Sequence, residues 1–243
     1  MKMDRLWQKL KNFYHLIQAH LAALYFRFPA RKLQIIGVTG TDGKTTTVHM
    51  ICHILNSAGL KVSMISSVEA NIEGKSFETG FHVTTPSAWQ VQKYLKQAVE
   101  AGSKYFVLEA TSHGLDQNRL AYAKFNVGVI TNITHEHLDY HKTWQKYALS
   151  KAKLFRNVVY SILNIDDRSF VFLKNRADGK IITYSLSRNA DFNLAKYPIK
   201  LKVKGDYNRS NALAAIATTV TLWVKREFVL KSLANFSGTK GIM

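Results

Sequence analysis

The sequence predicts an α/β protein, a mostly parallel sheet flanked by helices. Three observations carry that reading. From Leu33 onward, short apolar runs alternate with stretches of helical period. The first run is followed by a turn rich in Gly and Thr, "GVTGTDGKTTT" at 37–47, and then by a helical pattern. A later apolar run ends on an acid, Glu109, at the carboxyl end of its strand, where open α/β sheets bind ligands.

In chain order, residues 1–32 form a zone of their own, with seven Lys or Arg and one acid, Asp4. Leu6, Leu10, Phe13, Ile17, Leu21 and Leu24 recur at helical spacing, with Trp7, Tyr14 and Tyr25 alongside, so an amphipathic helix ending near Pro29 is expected. It would either pack on the following domain or lie on a membrane surface or partner. "LQIIGVT" reads as a buried strand, and a helix from Lys44 to Ser57 stops at Gly59. "KVSMISS" is a strand, and "ANIEGKSFETGFHV" a hairpin turning at Glu73 and Gly74. Residues 87–100 are helical and end at Gly102. "KYFVLEA" and "FNVGVITN" are further buried strands. A helix over 143–155 leads to the strand "NVVYSILNI". "KIITYSL" and "IKLKVKG" are shorter strands, and "NRSNALAAIATTVTLWV" is the last long helix.

The composition, 47% apolar and 21% charged over 243 residues, is that of a globular chain with one large domain or two small ones. The single cysteine, Cys52, excludes an internal disulfide framework and sits in the core pattern "HMICHIL". No cleavable leader follows the basic start, and no apolar run reaches the ~18 residues of a membrane span, so a cytoplasmic protein is expected. The net charge of +18 fits either a solvated basic surface or a polyanionic partner, whether nucleotide phosphates, nucleic acid or an anionic membrane. No nucleic-acid motif is recognisable, so a nucleic-acid partner is not expected.

Strand, Gly-rich turn and helix together form the context of a phosphate-binding loop. Gly40 and Gly43 let backbone amides approach an anion, and the helix start directs free N–H groups at it. Thr41, Asp42 and Thr46 complete the cradle. Lys44 supplies a mobile charge for the β- and γ-phosphates, and Thr45 a hydroxyl for Mg²⁺. The general pattern G-x-x-x-x-G-K-[ST] has Val38 at its first position here. Three more stretches gather polar chemistry: "LEATSHGLDQNRL" with Glu109, "TNITHEHLDYH" with Thr131, Asn132, His135, Glu136, His137, Asp139 and His141, and "GDYNRSNALAAIA" with Asn208 and Asn211. Singly, each has a plainer reading. Glu109 could be a surface acid, Asn208 a helix cap, and His137 with His141 a zinc pair if that loop were helical.

Together, in this order, "GTDGKTTT", "TSHGLDQNR", "TNITHEHLDYH" and "YALSKAKLF" resemble the P-loop NTPase-like central ATP-binding domain of the Mur ligases. Within that family the likeness is to UDP-N-acetylmuramoyl-tripeptide synthetases. It covers about Leu33 to Met243. It implies that Lys44 holds ATP phosphates, that Thr45, Glu109 and His137 hold Mg²⁺, and that Lys151 is carbamylated to help hold a second Mg²⁺. Lys44, Glu109, His137 and Lys151 would then form the catalytic set. By residue type alone Lys151 passes for a surface lysine. Asn208 and Asn211 match positions near the adenine. Thr84, Thr85, Ser112, Gln117 and Arg119 match contacts to a UDP-MurNAc-peptide, and Asp166 and Asp167 in "LNIDD" a stretch near the nucleotide. The implied reaction activates a substrate carboxylate as an acyl phosphate, which the amine of an incoming amino acid displaces to form an amide.

Against the family pattern, only the 32-residue basic segment precedes the phosphate-loop strand, and no UDP-binding domain is recognised. The chain stops at "FSGTKGIM", where the family hinge reads G-x-P-G-R-M-E, so Lys240 and Ile242 stand for its proline and arginine. The amino-acid-binding domain is therefore also expected to be missing, or supplied by a partner chain. An alternative reading is a non-ligating ATP/Mg²⁺-binding module held at a membrane or partner by its N-terminal helix.

Overall fold

The computed structural model describes residues 2–78, 85–134, 136 and 138–238. In chain order the elements are α1 (Lys2–Tyr25), β1 (Gln34–Thr39), α2 (Lys44–Ser57), β2 (Val62–Ile65), β3 (Glu69–Ile72), β4 (Lys75–Glu78) and α3 (Ala88–Glu100). Then come β5 (Tyr105–Glu109), α4 (Ser112–Asp116), β6 (Val127–Ile130), α5 (Leu138–His141), α6 (Trp144–Ala152) and β7 (Tyr160–Asn164). The described chain continues through α7 (Phe170–Lys174), β8 (Lys180–Ser185), β9 (Phe192–Asn193), α8 (Asp206–Thr221) and α9 (Arg226–Asn235). Short 3₁₀ turns at Pro29–Lys32 and Lys153–Phe155 close α1 and α6.

Among the described residues the strands form one sheet in the order β4-β3-β2-β5-β1-β6-β7-β8-β9. All pairings from β2 to β9 are parallel; only the hairpin β3–β4 and its join to β2 run antiparallel. The hairpin turns at Glu73 and Gly74, both at positive φ (47° and 83°), as a tight two-residue turn requires. β1 lies between β5 and β6, so the chain's winding reverses beside it, which puts a crevice outside its carboxyl end.

Alternate residues of the central strands enter opposite cores. Ile36, Val38, Val107 and Val129 join α2, α8 and α9 on one face. Ile35, Phe106, Leu108 and Ile130 join α3 and α6 on the other. Cys52 is buried in the first core, and burial pushes its thiol pKa up, which makes it an inert packing residue. Ser87 caps α3 with a reciprocal bond from Gln90, which fixes where that helix begins.

The sequence-based reading needs two corrections of detail. "IKLKVKG" forms no strand: β9 takes the place beside β8, and Ile199, Leu201 and Val203 lie against the first core as irregular chain. The expected stripe of α1 does not pack on the domain. Ala19, Ala22 and Ala23 are buried instead, while Leu10, Phe13, Ile17, Leu21 and Leu24 are exposed. The small side of the helix allows the closer approach to its neighbours.

Candidate active site

The loop between β1 and α2 is held by the end of β6. Thr41 N–H donates to Asn132 O (2.9 Å) and Asp42 N–H to Asn132 Oδ1 (3.0 Å). Thr131 Oγ1 donates to Asp42 O (2.6 Å). The two glycines are required by this packing. A Cβ on Gly40 would lie 1.8 Å from Thr131 Oγ1, and one on Gly43 would lie 2.2 Å from Asn211 Oδ1. Gly43 also stands at φ 76° as the residue capping α2. Having no side chain, it leaves the first-turn amides at Lys44, Thr45 and Thr46 to whatever lies in front of them. Asn211, buried on α8, thus touches the loop directly; Asn208 is a turn away and donates to Lys204 O (2.8 Å).

Glu109 ends β5 and is 1% exposed, a position that an unpartnered carboxylate could not hold cheaply. Its Oε2 accepts from Thr45 Oγ1 (2.8 Å) and Ser67 N–H (2.9 Å), and its Oε1 accepts from Ser67 Oγ (2.7 Å). Ser67 follows the end of β2 and was not singled out in the sequence. The pointer to it is the same that marked Glu109, a polar pair at the carboxyl end of a buried strand. His49 stands behind this group, against Ser66 (3.4 Å) and Glu69 (3.8 Å), and burial pulls its pKa down.

Lys151 is no surface lysine. It is 1% exposed, its Nζ donates to Gly40 O (2.6 Å), and it lies 4.5 Å from the centre of the Tyr147 ring. Burial, reinforced by the nearby Lys44 charge, holds its pKa well below the usual lysine range. Lys44 donates to Thr41 O (2.6 Å), and Tyr147 OH meets Thr41 Oγ1 at 3.2 Å. Gly40, Lys44, Thr45, Ser67, Glu109, Ser112 and Lys151 line one cleft of about 150 Å³. One mobile cation, Lys44, a buried amine, Lys151, a backbone anion cradle and an oxygen-rich wall therefore converge, an arrangement able to receive a polyanion and a hard divalent cation.

A second group adjoins it. Arg119 donates to Thr85 O (3.0 Å) and to Gln117, and Gln117 Nε2 reaches Tyr140 OH (3.4 Å). Thr85 Oγ1 bonds Thr111 Oγ1, beside the buried Ser112. Asp166 and Asp167 do structural work as placed. Asp166 accepts from Ser185 Oγ (2.6 Å) and Leu186 N–H (2.7 Å), and Asp167 accepts from Ile133 N–H (3.2 Å). Thr84, His135 and His137 lie outside the described residues, as do Lys240 and Ile242. His141, the other half of the zinc alternative, packs in a ring cluster with His113, Tyr140 and Tyr147. No metal-holding group of three or more His, Cys, Asp or Glu occurs among the described residues.

Residues 38–219 match the family model of the Mur ligase middle domain. The chain belongs to that family. It is 34% identical over 238 residues to the UDP-N-acetylmuramoyl-L-alanyl-D-glutamate–2,6-diaminopimelate ligase of Clostridium tetani, covering 90% of this chain and 49% of the relative. The ligase of the same name from Gloeobacter violaceus is 36% identical over 246 residues, covering 93% and 50%. A solved structure of such a diaminopimelate ligase superposes with TM-score 0.76 at 28% identity, covering 86% of this chain and 47% of that one. A UDP-N-acetylmuramoylalanyl-D-glutamyl-2,6-diaminopimelate–D-alanyl-D-alanyl ligase from Acinetobacter baumannii, 21% identical, shares the fold with TM-score 0.71 over 93% of this chain and 51% of its own. The chain spans about half the length of the curated relatives it matches. The Mur ligase middle domain is thus the frame in which the cleft is to be understood.

Proposed function

We propose that this chain carries the ATP-using half of an amide-forming ligase of peptidoglycan precursor synthesis, acting on a UDP-MurNAc-peptide and an amino acid. The observation that carries the proposal is the Thr45–Glu109 contact of 2.8 Å in the mouth of the phosphate loop, with Lys151 buried across the same cleft.

The residues fit the groups the reaction needs. The glycine positions at 40 and 43 admit no side chain, which suits a loop that closes on phosphate oxygens. In the proposed mechanism Lys44 leaves Thr41 O and turns to the β- and γ-phosphates of ATP, while the α2 amides bind the same oxygens. Thr45 and Glu109 would hold Mg²⁺, joined by His137. The ion, when bound, offsets the charge that builds up as a carboxylate approaches a phosphate. Asn211 fixes the loop, and Asn208 lines the adenine end. Thr84, Thr85, Ser112, Gln117 and Arg119 would orient the peptide substrate so that its carboxylate attacks the γ-phosphorus. ADP leaves as the acyl phosphate forms; the incoming amine then attacks the acyl carbon, phosphate departs, and the surplus proton of the amine passes to solvent. Positioning and charge neutralisation supply most of the acceleration in such a transfer.

Lys151 has the chemistry that carbamylation requires: a neutral amine can attack CO₂, and burial beside Lys44 favours the neutral form. As a carbamate it would replace a disfavoured buried cation with an anion facing the metal side of the cleft.

Calorimetry with ATP and Mg²⁺ tests the reading. Lys44→Ala should abolish binding or weaken it by more than about tenfold, and unchanged affinity would refute the phosphate-loop role. Phosphate release that requires both a UDP-muramoyl peptide and an amino acid would establish ligation. ATP binding without that dependence would favour the non-ligating module.

A further inference from the structure

α1 carries its large residues on the side away from the protein. At ~100° per residue, Trp7, Leu10, Phe13, Ile17, Leu21 and Leu24 fall within an arc of about 120°. Trp7 is 62% exposed and Leu21 50%. Tyr14 and Tyr25 extend the margin that Trp7 begins, and Tyr25 is 71% exposed. The opposite side is small or polar and is the one in contact. Ala19, Ala22 and Ala23 are buried, Gln8 donates to Tyr140 OH (3.0 Å), and Asn118 donates to Asn12 O (3.2 Å). Contiguous exposed apolar surface on this scale marks an interaction face.

We propose that this stripe lies in the surface of an anionic lipid bilayer, with α1 parallel to the membrane plane. No described helix is long and apolar enough to cross a membrane, so an in-plane placement is the one its length and composition suit. Basic groups stand on both sides of its carboxyl end. Arg27 and Lys93 line a cleft with Tyr25, in which Lys96 is paired with Glu100 (3.1 Å), and Arg31 and Lys124 line another with Phe28 and Tyr122. Aromatic residues along one margin of an apolar stripe match the headgroup level, and nearby Lys and Arg match acidic lipid. The charge also speaks against a second copy as the occupant, since pairing two chains of net charge +18 brings like charge together.

Vesicle cosedimentation of the whole chain is the test, using phosphatidylcholine alone or mixed with phosphatidylglycerol. Binding should be at least about tenfold stronger to the mixed vesicles and should weaken with salt. Replacing Phe13, Ile17 and Leu21 together by Ser should cut it by at least about tenfold with the thermal midpoint kept, because all three are exposed. A second variant, Arg27→Glu with Lys93→Glu, tests the charge separately and should weaken binding to the mixed vesicles alone. No vesicle binding, equal binding to both vesicle types, or a dimer that the stripe variant dissolves in place of lipid binding would each overturn the proposal.

Discussion

α8 and α1 differ in how much of their surface they bury. α8 is closed in over its middle: every residue from Asn211 to Thr219 is buried, most of them small. Its two inward threonines satisfy themselves, Thr218 Oγ1 on Ala214 O (2.7 Å) and Thr219 Oγ1 on Ala215 O (2.8 Å). α1 buries only its alanine side and turns its large residues out. Apolar periodicity therefore identifies an amphipathic helix without saying which side meets the protein. Side-chain size decides that here, since alanines let α1 come close to the domain while a Leu and Phe ridge would hold it away.

The sharpest way to break this contrast is to truncate a leucine in each helix. Leu213→Ala in α8 should cost ~2–5 kcal/mol, the price of a cavity in a close-packed core. Leu21→Ala in α1 should change stability by less than ~0.5 kcal/mol, since the side chain is half exposed. Urea midpoints measure both. A comparable loss at Leu21 would mean that the stripe is covered in solution, and the contrast would fall. The next test enlarges the small side. Ala22→Leu should cost ~1–3 kcal/mol through overpacking, although leucine is the better match to the sequence pattern of the helix.

Most of the fold was legible, because buried strands announce themselves by short apolar runs and because Gly59, Gly102 and Ser87 punctuate the helices. The glycine-rich turn between β1 and α2 and the position of Glu109 at the end of β5 were legible for a related reason: each is a short sequence stretch at a strand end. What escaped was nearness between elements. Ser67 meets Glu109 only because β2 and β5 are neighbours in the sheet, 42 residues apart in sequence. The burial of Lys151 depends on α6 packing its last turn against the loop at Gly40, which no feature of "YALSKAKLF" by itself displays. "IKLKVKG" alternates like a strand but pairs with no strand among the described residues, and its apolar positions pack against the first core.

α8 also bears on the site, and Gly43 is where that shows. Gly43→Ala places a methyl against Asn211 Oδ1 and a side chain at φ 76°. The expected cost is ~1–2 kcal/mol from the backbone alone, with ATP affinity lowered by about tenfold or more. Adding Asn211→Ala should relieve the clash but leave the backbone strain, so stability should recover only in part. Full recovery would mean that the left-handed conformation at 43 carries no cost, and that α8 alone dictates the glycine.

A milder effect than that at Gly43 is expected beneath α8, at Tyr184. Its hydroxyl donates to Ile130 O (2.8 Å), and burial, with the charge of Asp167 nearby, raises its pKa above the ordinary 10.0. As pH climbs past 10.0 the unfolded chain gives up this proton while the folded chain keeps it. The folded state then binds more protons than the unfolded state, so this group's effect on stability turns negative with rising pH. Below that value the two states hold the proton alike and the group contributes no slope. Tyr184→Phe should cost ~1 kcal/mol at neutral pH through the lost hydrogen bond, and should make the alkaline decline shallower. Urea midpoints on either side of 10.0 separate the two effects. An unchanged alkaline slope in the variant would mean that Tyr184 ionises as readily in the folded protein as in the unfolded chain, and that the layer under α8 is less closed than its packing indicates.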